Sequence, residues 1–429
     1  MIQKMMLFCL GICTTLGAMD NAHFYRATNL WQETRLGIDL LTSADVSAGW
    51  GKTHKSRNSQ HHTAPLFDLY GPNNMHDLGI NVPGKSNTNP LDLILCQLAN
   101  TPERTVEMPG CHCSIPHPFA SFSIGGEFSI IESNLSLIQN AVHGFFGELF
   151  MPVRNIKIND ICFKDLSPED EEIPNNKTPM WLAFQNNFDA ILARYDLSRC
   201  PTNETGVGDL SILIGWTNNY QETEFLDFID TTLKVGILVP TGKKRNEDQI
   251  FSIPLGYNGH VGVPFSGDIA WGLYDWLTIA GHIDGIFFAG TSRDIRLKTA
   301  ASQNGIIKLA KGTANINKGA IWSFGLSLKA DHLYRGFSAL MGYSFAAHRP
   351  DTVFPSHSCF DSSVANCDET LQGWSMQTIH FLAEYDFTKD DAQAGARIAG
   401  FYNIIVDGRR IFKTNMVGGI LGVDINWKF

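Results

Sequence analysis

The side chains best placed for chemistry in this 429-residue sequence sit at even spacings. His282 and Asp284 are two apart, and His380, Glu384 and Asp386 follow the same alternation. In an extended chain that spacing puts them on one face, where imidazole beside carboxylate can move protons or hold a metal. Cys111-His112-Cys113 has the form of a metal grip, and His61-His62 is a second candidate pair. Each has a plainer reading: lone polar groups on strands, disulfide cysteines, and a polar loop. Nothing in the sequence links the His282 segment to the His380 segment. No Gly-x-Ser-x-Gly elbow, His-Glu-x-x-His pair or phosphate-loop glycine pattern occurs. We therefore expect no enzyme, no cofactor, and no catalytic or metal residues.

The elements that carry these residues alternate in period two. Leu421, Val423, Ile425, Trp427 and Phe429 share one face, and Gly422, Asp424, Asn426 and Lys428 the other. Trp322, Phe324, Leu326 and Leu328 form a second such row, and Leu233, Val235, Ile237 and Val239 a third. Strands are read at 42–52, 118–131, 134–153, 206–218, 227–241, 260–274, 276–290, 319–330, 334–348, 374–387, 391–406 and 415–429, with the face of the third switching near His143 to Phe146 as at a bulge. The connections alternate between long (53–117, 154–205, 242–259, 291–318, 349–373, 407–414) and short (132–133, 219–226, Asp275, 331–333, 388–390). A sandwich has no reason to sort its loops this way. Outer-membrane barrels do, with short periplasmic turns and longer external loops.

Composition narrows the field further. The formal net charge is −10, which argues against binding nucleic acid. Charged residues make up only 18%, and beyond the first residues no apolar run reaches the roughly 18 that a membrane helix needs. Met1 to Ala18 reads as an export signal, with Lys4 before an apolar stretch and Leu-Gly-Ala at 16–18 as cleavage site. The expected organisation is signal peptide 1–18, an N-terminal segment 19–41, and a barrel over 42–429 with long external loops 53–117 and 154–205. The remaining cysteines fall in three loops, where export permits disulfides: Cys162 with Cys200, Cys359 with Cys367, and one of Cys96, Cys111 and Cys113 left over.

These residues together resemble a bacterial outer-membrane β-barrel, porin-like, and the terminal Val423-Asp424-Ile425-Asn426-Trp427-Lys428-Phe429 is similar to the signal read by the barrel-assembly machinery. Gly206-Val207-Gly208-Asp209, Lys234-Val235-Gly236 and Pro240-Thr241-Gly242 are faintly similar to the fatty-acid and aromatic-hydrocarbon transporter barrels. Members of that family usually carry an N-terminal plug and about fourteen strands, two more than the alternation gives here. The expected fold is thus all-β: a closed antiparallel transmembrane barrel of about twelve strands in the outer membrane, its apolar face on lipid.

Parity then assigns the lumen: Asp209, Lys234, Asp268, His282, Asp284, Lys329, His380, Glu384, Asp386 and Arg397. Either they line a solvated pore or they pair into a network that fills the interior. The first makes the protein a porin-like channel for passive diffusion of small solutes. The alternatives are a plugged surface or adhesion barrel acting through its long loops, and a transporter of small apolar molecules. Pro179 to Leu197, with Trp181, Phe184, Phe188, Ile191, Leu192 and Tyr195 at near-helical spacing, is expected to be a helix, either over the pore mouth or capping its own loop.

Overall fold

The computed structural model describes residues 39–85, 88–99, 121–166, 179–221, 225–334, 336–388 and 393–427. The export signal, Cys111 to Cys113, Lys428 and Phe429 lie outside them. The transmembrane strands are β1 (Leu41–Thr53), β2 (Ser121–Asn140), β3 (Phe145–Asp165), β4 (Leu210–Gln221), β5 (Phe228–Val239), β6 (Gly262–Tyr274), β7 (Leu277–Phe288), β8 (Ile321–Tyr334), β9 (Phe337–His348), β10 (Ser375–Asp386), β11 (Ala394–Arg409) and β12 (Met416–Asn426). Each pairs antiparallel with its neighbour in sequence, and β1 pairs with both β2 and β12, so the twelve strands close into a barrel without an edge.

The alternation of long and short connections is as expected, but one turn moves. The sequence reads Glu132-Ser133 as a turn. It lies instead in the middle of β2, where Ser133 Oγ donates to the Ser47 carbonyl at 2.9 Å. The hairpin turns at Val142–Gly144, where His143 (φ 61°) and Gly144 (φ 80°) are both left-handed, as tight hairpins demand. The change of face near His143 is thus a reversal of direction rather than a bulge. β3 consequently runs on to Asp165.

Val46, Ile131, Ile214, Leu233, Ile283, Leu326, Met341, Leu421 and Val423 all point outward and are exposed, while their neighbours in sequence turn inward. That is the arrangement lipid requires. Tyr220, Tyr274, Trp276, Tyr334, Phe387 and Trp427 ring the short-turn end, and Trp50, Phe287 and Phe324 stand at the other.

The long connections do not hang free. They fold together over one end of the barrel as a cap with its own core. A three-stranded sheet (291–296, 311–317, 352–355) ties the fourth connection to the fifth, and a second (55–57, 63–65, 411–412) ties the first to the sixth. Helices α1 (Met75–Leu78), α2 (Pro90–Ala99), α3 (Pro179–Arg194) and α4 (Ser362–Asn366) complete it. Leu66, Phe67 and Leu95 from the first connection join Phe184, Ile191 and Leu192 of α3 in one buried cluster with Phe251, Leu255, Leu297, Ile307, Val353 and Phe412. Each such fully buried side chain contributes roughly 1.5–3 kcal/mol. The helix expected over 179–197 is present, and its Phe184, Phe188, Ile191 and Leu192 are part of this shared core.

Candidate functional site

The inner wall of the barrel has two zones. At the capped end eight of the twelve strands bring apolar side chains to it. Phe128 and Ile130 of β2 and Ile156 and Ile158 of β3 belong to the cap core. Leu238 of β5, Ile286 of β7, Ile321 of β8, Ala346 of β9, Met376 of β10 and Ile405 of β11 form a second cluster with Tyr257 and Trp374. Phe412 stacks on Phe128 at 4.8 Å, which seats the cap on the wall, and Phe67 meets Phe251 at 4.7 Å within the cap. Arg296 braces it from within: its guanidinium donates to the carbonyls of Tyr195, Asp196, Glu247 and Leu309 and to Asp248 Oδ1.

Below these clusters the wall is polar and carries buried ion pairs. Arg397 of β11 reaches across β12 to Asp45 of β1, with Nη2 2.7 and 2.8 Å from the two carboxylate oxygens. Both side chains are about 5% exposed or less (5% and 4%). The pair lies flat over Gly422, where an added Cβ would come within 2.4 Å of Arg397 Nε and Asp45 Oδ1. Glu132 and Arg154 form a second buried pair, and Arg154 Nη1 also donates to the Leu255 carbonyl at 2.5 Å, holding the third connection inside the mouth. Lys234 Nζ sits 3.3 Å from Glu148, both buried, with Asp268 and Asp284 in electrostatic reach.

At the other expected lumen positions the polar side chains engage their neighbours. Ser266 Oγ donates to Asp284 at 2.7 Å and to Asp268 at 3.3 Å, and His282 stands 3.9 Å from Asp284. His380 is held between Ser344 Oγ (2.7 Å) and Asn403 Oδ1 (2.9 Å), which accounts for both ring nitrogens structurally. Glu384 lies in reach of Arg397 and Lys329, and Lys329 pairs with Asp331 at 2.8 Å. His282 and Lys329, at 14% and 18% exposure, are the less covered ones, toward the short-turn end. Asp386 accepts from Thr388 N at 2.8 Å in the short turn. No metal-holding group of three His, Cys, Asp or Glu occurs among the described residues.

Asp209 departs from the expectation most. It sits above the lumen, where Oδ1 accepts from Gly242 N (2.8 Å) and Oδ2 from Tyr257 N (2.5 Å), clamping the third connection. The wall changes character at the same place. β3 pairs with β4 only over Phe145–Phe150, and its upper half pairs with residues 202–207, a separate strand across a bulge at Gly208–Asp209. The β4–β5 ladder stops at Leu210 and Val239. Above it Thr241 Oγ1 bridges, accepting from Leu210 N (3.1 Å) and donating to the Gly208 carbonyl (2.7 Å). On the far side of β5 the register of β6 skips Val263 and Pro264, since Pro has no N–H to give.

Neither expected disulfide is formed: Cys96, Cys162, Cys200, Cys359 and Cys367 carry free thiols, all but Cys96 exposed. Sequence reasoning missed Asp45, Glu132, Glu148 and Arg154. The misplaced turn put Glu132 in a hairpin and Arg154 in a loop. Asp45 was legible, since Ser43, Asp45 and Ser47 alternate with Ala44, Val46 and Ala48.

No protein-family model matches the chain, and neither does any curated protein. Among solved structures it is similar to an outer membrane channel from Pseudomonas putida F1, at 10% identity over 94% of this chain and 97% of that one, TM-score 0.47. It is also similar to a FadL homologue from Pseudomonas aeruginosa (7%, covering 90% of each chain, TM-score 0.27). The CymD monoaromatic hydrocarbon channel is a third (7%, covering 96% of this chain and 98% of that one, TM-score 0.32). Likeness at this level carries no argument about function, which rests on the residues described above.

Proposed function

We propose that this chain is an outer-membrane transporter of small apolar molecules rather than an open polar porin. The observation that carries the reading is the change of the inner wall from polar to apolar at the mouth, beside the stretch where the β4–β5 and β5–β6 ladders are interrupted. Water and ions gain little from an apolar ring, and the paired charges beneath it leave them no continuous path. An apolar solute gains about 25 cal/mol for each Å² it buries there. It can leave sideways past Val207, Ile212, Ile237 and Val263, all exposed on the lipid side. The segment 1–18 would direct export, and the last strand would be read by the assembly machinery.

The test is binding of the apolar fluorophore N-phenylnaphthylamine to the refolded protein. Saturable enhancement that Leu255→Lys reduces at least severalfold supports the reading. Enhancement no greater than in empty detergent micelles counts against it. A second reading, a plugged barrel acting through its loops, is favoured by how dry the cap core is, with Leu66, Leu95 and Phe184 fully buried. A cap that binds no apolar probe in that assay would promote it.

A further inference from the structure

The cap buries two lysines that transport of an apolar molecule does not use. Lys298 and Lys308 are each 3% exposed. Lys308 Nζ donates to the Gly305 carbonyl and lies 3.4 Å from Asp368 Oδ1. That carboxylate is already engaged, accepting from Thr370 N at 2.9 Å where it caps a short helical turn. Lys298 Nζ donates to the Cys367 carbonyl at 3.2 Å and has no carboxylate partner among the described residues. Arg245 stands in electrostatic reach of Lys308, and its Nε is buried without a partner. Lys308 thus feels one carboxylate and two further cations.

Neutral donors point to the same place. The segment 297–310 runs against 73–82: Ile307 N donates to Asn73 Oδ1 at 3.2 Å, and Thr299 Oγ1 to the Ile80 carbonyl at 2.7 Å. A Cβ built on Gly305 would lie 2.7 Å from Asn73 Nδ2, so the Asn73 amide and the Lys308 ammonium meet at one glycine. Asn73 Nδ2 and Gln303 Nε2 are buried and unpartnered. Their orientation is fixed, because Asn73 Oδ1 and Gln303 Oε1 each accept a backbone N–H, from Ile307 and Thr299. What is left over beside Lys308 is donor capacity and positive charge, with one buried acceptor elsewhere on 73–82, Asp77 Oδ2 next to His76, in a core whose other members, Leu297, Ile306, Ile307 and Leu309, are apolar.

We propose that Lys298, Lys308, Asn73 and Gln303 form an oxyanion site in the cap, one that takes a carboxylate or phosphate group. Burial lowers the pKa of the Lys308 ammonium, Asp368 opposes this, and Lys298 and Arg245 add to it. An arriving oxyanion relieves that strain on the charged form while accepting from both amides. Water accepts the same hydrogen bonds but brings no charge.

The test is titration calorimetry of the full chain, refolded in an uncharged detergent, with inorganic phosphate, octanoate and octanol as probes. Saturable binding of phosphate or octanoate is expected, weakened about tenfold or more by Lys308→Met or Lys298→Met, with any octanol binding unchanged. Phosphate matching octanoate identifies a free-ion site, and octanoate binding far tighter identifies an amphiphile head group. No saturable heat from either anion overturns the proposal, as does anion binding indifferent to both lysines. If the Met variants fail to fold, Gln303→Leu decides: weaker anion binding supports the site and unchanged affinity refutes it. The phosphate arm needs no apolar cargo, so the site can stand or fall apart from the transport reading.

Discussion

Removing Arg397 is the sharpest probe of whether the lumen is dry. Arg397→Ala leaves the Asp45 carboxylate in a place where it is 4% exposed, with Asp424 in electrostatic reach and its two closest guanidinium contacts, at 2.7 and 2.8 Å, gone. A buried charge stripped of its partner costs about 3–5 kcal/mol. Taking both charges away, as in Asp45→Leu with Arg397→Met, leaves no orphan, and the double variant should recover most of that loss. The coupling between the two sites should thus be of similar size, far above the roughly 0.5 kcal/mol scatter of independent sites. The assay is urea unfolding in phosphatidylcholine vesicles followed by tryptophan fluorescence, with midpoint and slope fitted for the wild type and three variants. A single variant within about 0.5 kcal/mol of wild type would mean that water reaches Asp45, as at a surface ion pair, and would refute the filled-lumen reasoning.

Other consequences follow from the same geometry. Gly422→Ala places a methyl 2.4 Å from both members of that pair and should cost about as much as overpacking does elsewhere, roughly 1–3 kcal/mol, in the same urea assay; a neutral result contradicts the flat placement. Asp209→Ala orphans Gly242 N and Tyr257 N, at about 1–3 kcal/mol for each N–H that water does not reach, and should speed proteolysis of residues 242–257 without changing the barrel's unfolding midpoint. Asp248 is held below the ordinary aspartate value first by the hydrogen bond from Lys311, against the opposing effect of partial burial, and with help from the Lys311 charge and Arg296. A lowered carboxylate stabilises the fold fully above its unfolded value, about 3.9, and loses that contribution as pH falls through the folded value. Hydrogen exchange around 245–250, corrected for intrinsic rate, should therefore be constant above about pH 5 and accelerate below about pH 4; equal protection at both contradicts the clasp.

The barrel was legible because lipid imposes a two-residue period on every strand and the two ends sort the loops by length. Leu421 to Trp427 show this without any packing information. Parity also put Lys234, Asp284, His380 and Arg397 on the polar faces of their strands. It did not show that they pair, because ion pairs such as Arg397 with Asp45 join positions 352 apart in sequence. The turn failed for a local reason. Ser133 and Asn134 have turn-forming side chains but spend them on Ser47 of the neighbouring strand, whereas the true turn rests on left-handed His143, a residue type outside the usual Gly, Pro, Asn, Asp and Ser turn signals. The cap was the least visible part. Its core is assembled from apolar residues of six connections, of which only 179–197 carries a periodic signal of its own.

Ion conductance across a planar lipid bilayer tests the central claim most directly: the lumen is filled by its own charges and closed at the mouth by an apolar ring. The refolded wild type should insert and remain silent, while the Arg154→Ala variant, which frees the Leu255 carbonyl, should show at least transient openings. Discrete, salt-scaled steps from the wild type would contradict the claim and restore the solvated polar pore.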